Sequence, residues 1–371
     1  FKQKTAYEIM PSLVGSEMCI RDRYYEPFHV ARVFATLDLM SKGRAAWNIV
    51  TSLNDGEAMN MGTNEVVEHD KRYDRADEFM DVVLGHWNSW EDSAILNDKI
   101  NIRFAYHKNI HRLDFEGKFF NSRGPFTVPR SEQGHPVLIQ AGQSGRGQRF
   151  AARWAELVFV AYPNIETGRK EYAAFKQNVA DHGRDPEKVK VAVLTHCVTA
   201  ETRSEAEDKR ALIDTLPTDL YQLSLLSEAL NFDFASRGRD EPLSDDEVVG
   251  MQGIQGIRDR VLEASGKTNP TPNEFMKYSG RGLLHRPWVG SGKDVADIME
   301  DWFSTRACDG FVIAATHVPG AYEDFVKHVV PELQKRGIFH KDYQGETLRD
   351  NLGLDYPTPS HWKIPMPSGG H

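Results

Sequence analysis

The sequence predicts an α/β fold in which a parallel β-sheet is covered by helices. From residue 24 onward, short β-branched runs alternate with longer amphipathic stretches, an order typical of parallel sheets with helices outside them. The predicted strands are apolar and bounded by polar loops, as expected for a sheet covered on both faces. A chain of 371 residues is long enough for one barrel or for two smaller domains.

The elements follow from local periodicity along the chain. Short runs rich in β-branched residues predict strands at 46–50, 137–140, 157–161, 189–198 and 310–313. Apolar residues at helical spacing predict helices at 29–40, 70–87, 148–154, 166–182, 204–229, 294–303 and 322–336.

Two stretches interrupt this alternation. Residues 91–136 are rich in turn formers, and 114–120 within them predicts a small hairpin. Residues 230–286 are long and rich in glycine and charge. Because long excursions inside a domain are usually functional, we interpret this second insertion as a mobile lid over a substrate site. Residues 357–371 form a C-terminal tail.

Composition excludes several classes of protein. A net charge of −9 without a compensating basic tract argues against nucleic-acid binding. No apolar run approaches the ~20 residues that span a bilayer, so we expect no membrane association. Three widely spaced cysteines form neither a disulfide framework nor a metal motif, and we expect a reduced, cytoplasmic protein. The histidines lack metal-ligand spacing, so no metal is predicted, and no catalytic residue can be named.

The first residues, 1–23, are predicted to be a non-native segment. The chain starts at Phe1 without methionine, and the segment has neither helical nor strand periodicity. Pro11, Gly15 and Glu17 interrupt its apolar residues, which argues against a signal peptide. The run resembles a translated sequencing adapter, and the alternative is a poorly ordered natural N-terminus.

His69 and Tyr73 are the first candidate binding residues. Four residues apart near the start of a predicted helix, they share one helical face. A buried tyrosine hydroxyl needs a partner, which a phosphate oxygen would supply. From spacing alone, a core tyrosine bonded to a backbone carbonyl, with His69 capping the helix, is the stronger interpretation.

The second candidate is the glycine-rich turn that contains Gly142 and Ser144. It joins a predicted strand to a predicted helix. Glycines let the backbone approach an anion, and the helix N-terminus offers free N–H groups. Arg146 would add charge there or lie on the surface. The turn matches neither a dinucleotide fingerprint nor a Walker motif.

The third candidate is the end of the first predicted strand, where Asn48 and Thr51 lie. Polar groups at the carboxyl end of a strand occupy the position of barrel active sites. Equally, both residues could satisfy neighbouring loop amides.

Ordered blocks over the chain resemble the nitrilotriacetate monooxygenase and dibenzothiophene-sulfone monooxygenase group of the bacterial luciferase-like flavin monooxygenases. The resemblance covers about 24–356. Its blocks are 25–32, 43–52, 69–73, 123–125, 136–144, 289–291, 309–311, 330–337 and 347–353.

This resemblance implies a (β/α)8 TIM barrel with a lid insertion, a single domain over 24–356. It implies an enzyme that takes reduced FMN from a separate NAD(P)H:flavin reductase and uses O2 to oxidise a small organic substrate, often with C–N or C–S cleavage. It also implies a homo-oligomer. By position, His69, Tyr73, Ser144 and the neighbouring Gly142 correspond to FMN contacts, with Tyr73 and Ser144 on the phosphate side. Asn48 and Thr51 match the strand end near the flavin ring.

The chain departs from this group before Tyr24, where a member has further strand–helix units. With five predicted strands against eight in a closed barrel, we expect an N-terminally truncated barrel. Two alternatives remain open: a deazaflavin-dependent oxidoreductase on the same barrel, and an inactive flavin-binding fragment.

Overall fold

A computed structural model of the protein describes residues 24–51, 55–62, 69–141, 145–251, 253–279 and 287–359, although the side chains of 55–57, 69 and 70 are not part of the description. The predicted non-native segment 1–23 lies outside these residues. So do 360–371, most of the predicted tail.

Ten strands occur in the described residues. In chain order they are β1 (Ala46–Ile49), β2 (Ile95–Asp98), β3 (Arg103–Ala105), β4 (Phe115–Glu116), β5 (Asn121–Ser122), β6 (Val137–Gln140), β7 (Leu157–Val160), β8 (Lys190–Ala200), β9 (Trp288–Ser291) and β10 (Gly310–Ala314).

Fourteen α-helices accompany these strands in the described part of the chain. They are α1 (Pro27–Ser41), α2 (Asp55–Asn60), α3 (His69–Trp87), α4 (Gly145–Trp154), α5 (Ile165–Asp181), α6 (Arg203–Asp214), α7 (Asp219–Leu230), α8 (Asp245–Gly250), α9 (Gln255–Ser265), α10 (Pro272–Tyr278), α11 (Gly292–Ser304), α12 (Gly320–Asp324), α13 (Val330–Lys335) and α14 (Leu348–Asn351).

The central sheet is parallel throughout and has six strands. Its order is β1-β6-β7-β8-β10, and β9 pairs with the second half of β8. All five predicted strands are confirmed in it. The sixth, β9, was missed because only two of its four residues, Trp288 and Val289, are apolar.

The two faces of β1 have different neighbours. Trp47 and Ile49 pack with α1 and α3 in the largest hydrophobic cluster. Ala46 packs on the opposite face with Leu354, near the C-terminal end of the described chain. Because side chains alternate along a strand, Asn48 shares the face of Ala46. This face is turned away from the helices α1 and α3.

The predicted helix 204–229 is wrong as a single helix. The structure has two helices there, α6 and α7, joined by residues 215–218. Pro217 cannot donate to a helical carbonyl, and the Thr218 hydroxyl accepts from the Tyr221 amide to start the second helix. The periodicity continued across the break because both helices bury an apolar side.

The insertion 230–286 is largely helical in its described residues. Helices α7 to α10 surround their own hydrophobic cluster, with Phe234, Phe275 and Leu226 at its centre. At Gly253 an added Cβ would lie 2.1 Å from the Ala229 carbonyl oxygen, so the backbones approach too closely for any side chain. The insertion shares this core with α7, which precedes it, and its role as a lid stays a prediction.

The remaining predicted helices occur with small shifts at their ends. The last, predicted at 322–336, is interrupted by a π-helical turn, Phe325–Val329, between α12 and α13. Pro331, at the start of α13, lacks an amide hydrogen. The predicted hairpin at 114–120 is confirmed as β4 and β5, whereas β2 and β3 form a second hairpin that was not predicted.

A polar network lies at the amino edge of the sheet. The buried guanidinium of Arg349 pairs with both carboxylate oxygens of Glu156, and its Nε donates to the Gln133 carbonyl oxygen. Glu156, which precedes β7, also accepts from the Leu138 amide of β6 at 3.1 Å. The network therefore fixes α14 beneath the sheet.

A second buried carboxylate stands beside this network. Asp38 of α1 accepts from Ser131, from the Gln133 side chain at 2.7 Å and from the Ala45 amide at 3.1 Å. Burial raises the pKa of Asp38, and these hydrogen bonds offset part of that rise. Both buried carboxylates are thus satisfied by several donors.

Candidate functional site

The carboxyl ends of β1 and β6 lie side by side. In their parallel pairing Asn48 stands opposite Ile139, and Ile49 opposite Gln140. After β6 the next helix in the chain is α4, and after β1 it is α2. Since helix N-termini carry free N–H groups and partial positive charge, this edge has the elements of an anion site.

Asn48 has an unusual feature at one of its side-chain atoms. Its Oδ1 atom is buried and has no hydrogen-bond partner in the described structure. Leaving a buried acceptor unsatisfied costs about 1–3 kcal/mol, so such atoms are rare unless a ligand supplies the donor. Thr51, two residues beyond β1, is half-buried at the same edge.

Tyr73 lies at the contact between α3 and α4. Its ring is buried and meets the Phe150 ring edge to face, with 5.5 Å between centroids. The Arg146 guanidinium stands 5.5 Å from the centre of the same ring. Both partners belong to the first two turns of α4, so the structure brings Tyr73 beside the helix that follows the glycine-rich turn.

Arg146 is engaged with α3. Its guanidinium is 2.5 Å from the Asp77 carboxylate and 3.2 Å from Asp74. Burial opposes the charge of Arg146, but the two carboxylates outweigh burial and raise its pKa. Its charge is therefore matched within the helix pair, and its side chain, 17% exposed, does not lie freely on the surface.

The same helix contact holds a perturbed acid. Burial raises the pKa of Asp81 to about 6, and Arg153, 3.6 Å away, only partly opposes this. Asp77 and Glu78 on the same helix raise it further. Asp81 is one turn beyond Asp77, away from the start of α3, so we assign it to the helix pair.

Three predicted residues cannot be placed in this geometry. Gly142 and Ser144 lie outside the described residues, and the structure describes the backbone of His69 but not its side chain. His69 is the first residue of α3. Their predicted contacts with a cofactor stay predictions.

His196 adds a polar group to the face that carries Asn48. Its strand neighbours Val193 and Cys197 pack against helices, so alternation places His196 on the opposite face. Through Ile139 and Leu157, the residue of β8 level with Asn48 is Lys190. His196 lies six residues farther along, so the structure does not bring the two together.

The described residues contain neither a metal-binding cluster nor an activated thiol. Among the described residues, no group of three or more histidine, cysteine or carboxylate side chains could hold a metal. Burial raises the pKa of both Cys197 and Cys308 to about 12. Thiols with such pKa values are poor nucleophiles.

In the described part of the chain, no helix combines the length and the apolar character needed to cross a membrane.

Comparison with protein families decides the broader assignment. The model of the luciferase-like monooxygenase family matches residues 18–304. The chain belongs to this family. The match spans β1, β6 and both helices that flank the candidate site.

Relatives agree with this assignment over nearly the whole chain. The dibenzothiophene-sulfone monooxygenase of Rhodococcus erythropolis is 41% identical over 353 residues, which are 93% of this chain and 76% of that protein. Nitrilotriacetate monooxygenase component A of Aminobacter aminovorans is 41% identical over 361 residues, 97% of this chain and 80% of that protein. The resemblance predicted from the sequence blocks is confirmed.

Solved structures share the fold. DmoA from Hyphomicrobium sulfonivorans matches with a TM-score of 0.76 and 32% identity, over 89% of this chain and 70% of that one. Riboflavin lyase, crystallised with a modified FMN and riboflavin, matches with a TM-score of 0.76 and 30% identity, over 90% and 72%. The chain has the luciferase-like TIM-barrel fold, and it is a flavin-dependent monooxygenase of this family.

Proposed function

We propose that this protein binds reduced FMN at the carboxyl ends of β1 and β6 and uses O2 to oxidise a small organic substrate. The observation that carries the proposal is the buried, unpartnered Oδ1 of Asn48. A flavin ring carries an N–H donor, and an acceptor without a partner in a barrel interior suits such a group. Thr51 extends the same polar edge.

The phosphate end of the cofactor would lie at the start of α4. The helix supplies free amides there, Ser144 and Gly142 precede it, and Tyr73 packs against its first turns. His69, another of the predicted cofactor contacts, is the first residue of α3. Because Arg146 is paired with Asp74 and Asp77, we assign phosphate binding to hydroxyls and amides, without a free cation.

When bound, reduced FMN supplies the electrons that activate O2. The residues of this chain would orient the ring through Asn48, hold the phosphate through Tyr73 and Ser144, and keep water away with the apolar side chains around the site. Related proteins are named for the oxidation of a sulfone and of nitrilotriacetate. For this chain we propose only the substrate class, a small organic molecule. The expected outcome is cleavage of a C–N or C–S bond.

The test is an anaerobic titration of reduced FMN into this chain and into Tyr73→Phe and Ser144→Ala. A hydrogen bond to a charged group contributes about 1.5–3 kcal/mol, so each change should weaken binding by about 10- to 100-fold. Tyr343→Phe and Ser204→Ala, at exposed positions, are matched controls that should leave affinity unchanged.

The outcomes separate this proposal from its alternatives. Preferential binding of a deazaflavin would contradict it in favour of the other oxidoreductase, and saturable binding without oxygen-dependent turnover would identify a flavin-binding fragment. Binding that neither change at the phosphate end weakens would place the cofactor elsewhere.

We also propose that a separate NAD(P)H:flavin reductase supplies the reduced flavin. NAD(P)H added to the chain and oxidised FMN should leave the flavin spectrum unchanged, whereas addition of a flavin reductase should start O2 consumption. Direct reduction of FMN by this chain would contradict the two-component assignment.

A further inference from the structure

The carboxylate of Asp77 joins both ends of α4 to α3. One of its oxygens lies 2.5 Å from a guanidinium nitrogen of Arg146, in the first turn of α4. Its other oxygen accepts from Trp154 Nε1, in the last turn, at 2.6 Å. These two partners are eight residues apart, about 12 Å along a helix axis. A single side chain of α3 therefore holds nearly the whole length of α4.

The first turn of α4 is weak as an isolated helix. It contains Gly145 and Gly147, and glycine is, after proline, the residue least favourable to a helix. The turn has no acidic side chain, whereas Arg146 adds a positive charge where the helix dipole is already positive. With ten residues, α4 is also shorter than the ~12–15 that an isolated helix needs. Its start therefore depends on contacts with α3.

The same contact covers Tyr73. Asp77 follows Tyr73 by four residues, so both side chains lie on one face of α3. The Arg146 guanidinium stands 5.5 Å from the centre of the Tyr73 ring, within the range of a cation–π contact. Asp74 also contacts Arg146, but its side chain is 58% exposed against 18% for Asp77. Asp77 is therefore the better shielded partner that keeps Arg146 over the ring.

We propose that Asp77 is a positioning residue for the cofactor phosphate, because it holds the start of α4 and the Tyr73 ring in the arrangement that binds this group. The inference rests on the proposed function, which places the phosphate at the start of α4. Backbone amides bind an anion only where they point at it, so a small shift of the helix end weakens several hydrogen bonds at once. A carboxylate has no hydrogen to donate to a phosphate, so Asp77 acts through α4 and Arg146.

Charge alone predicts the opposite effect. Removing the carboxylate leaves Arg146 with one partner fewer near the phosphate, and a less neutralised cation attracts an anion more strongly. If Arg146 were a phosphate ligand that Asp77 withholds, Asp77→Asn would raise the affinity for the cofactor. Positioning predicts that the affinity falls, because the helix start and the ring lose their support. The sign of the change therefore distinguishes the two roles.

Anaerobic titrations of reduced FMN and of reduced riboflavin, which lacks the phosphate, give the phosphate contribution as the ratio of the two affinities. Asp77→Asn keeps an acceptor for Trp154 but removes the charge that holds Arg146. It should lower the affinity ratio about tenfold (about 1.4 kcal/mol) and leave the riboflavin affinity unchanged. Arg146→Gln should lower the ratio similarly, and the double variant should lower it no further, because the two side chains act as one unit.

Asp81→Asn is the matched control for these titrations. It removes a carboxylate from the same contact between α3 and α4, but Asp81 pairs with Arg153, at 3.6 Å, in the last turn of α4. The start of α4 keeps its contacts in this variant. The affinity ratio should therefore equal that of the parent chain.

Hydrogen exchange without cofactor tests the contact in the free protein. The amides of residues 149–151, which bond to carbonyls of the first turn of α4, should exchange faster in Asp77→Asn than in the parent chain. Exchange in α1, which lies outside this contact, should stay unchanged, so that local opening of α4 is separated from global unfolding.

The outcomes separate this inference from the proposed function. An affinity ratio that Asp77→Asn leaves unchanged or raises would overturn the inference, and a ratio lowered by Tyr73→Phe and Ser144→Ala in the same experiment would leave the proposed function standing. Equal affinity of the parent chain for reduced FMN and reduced riboflavin would contradict the proposed phosphate site and the inference with it. Unchanged exchange at 149–151 would also overturn the inference, since the helix start would then need no support from Asp77.

Discussion

The two edges of the central sheet treat buried polar groups in opposite ways. At the amino edge, Glu156 and Asp38 are buried and each accepts several hydrogen bonds. At the carboxyl edge, Asn48 presents a buried acceptor without a partner. In barrel enzymes the amino ends of the strands serve stability and the carboxyl ends serve function. The proposed flavin site would place function at the carboxyl edge of the same sheet whose amino edge is held by ion pairs and hydrogen bonds.

The pKa of Glu156 shows that the carboxylate at the amino edge is stabilised by its partners. Burial alone would raise the pKa of this carboxyl, but the charge and hydrogen bonds of Arg349 outweigh burial and hold it below its ordinary value. The acid therefore stays ionised inside the protein.

Arg349→Met should have the largest effect on stability. It leaves Glu156 buried without its cation, and breaking a buried pair in this way costs about 3–5 kcal/mol. Urea denaturation measures the change. Lys188→Met, which removes an exposed pair with Asp355, should leave the midpoint unchanged.

The double variant Arg349→Met with Glu156→Leu sharpens this result. Replacing both charges with apolar side chains should recover most of the lost stability, because no unpaired charge remains. If Arg349→Met lowers the urea midpoint no more than Lys188→Met does, the amino edge does not have the structural role assigned to it.

A pH titration of stability should reveal the next largest effect. Burial lowers the pKa of His135, stacked on Trp87 at the amino edge, to about 4, and likewise that of His86. Unfolded histidine takes up a proton near pH 6.5, so the unfolded state binds more protons between pH 6.5 and 4. Above pH 6.5 each histidine contributes fully to the free energy of unfolding. This contribution is lost as the pH falls from 6.5 to 4.

The expected loss of folding stability is about 3 kcal/mol for each histidine, at about 1.4 kcal/mol per pKa unit. Asp81 acts in the opposite direction, because its pKa of about 6 in the folded state favours folding as the pH falls from 6 to 4. His135→Asn should therefore flatten the loss of stability between pH 6.5 and 4. An unchanged slope would show that His135 titrates normally.

Asn48→Leu should have the smallest effect on stability, and with the opposite sign. It replaces an unsatisfied acceptor by an apolar group of similar size, so we expect a gain of about 1 kcal/mol without cofactor. Affinity for reduced FMN should fall at the same time. A loss of stability would show that the carboxamide already has a structural partner, and unchanged affinity would remove it from the flavin site.

Particular residues show which features of the structure could be predicted from the sequence. The five strands could be predicted because each is a short apolar run, and the start of α3 because its apolar residues recur at helical spacing. The strand β9 and the break at Pro217 could not be predicted, since only Trp288 and Val289 of β9 are apolar and the apolar pattern crossed the proline. Tyr73 was predicted as a candidate from its helical spacing, but its position beside α4 depends on a contact between two helices.

By itself, the sequence determined the parallel α/β class, the family and the polar positions at the end of β1, because these follow from local patterns and from ordered blocks. Tertiary structure alone decided that Glu156 meets Arg349 across 193 positions of the chain, that Arg146 is paired with α3, and that Asn48 keeps an unpartnered oxygen. Hydrogen bonds and burial depend on which distant segments meet, and no local pattern encodes that information.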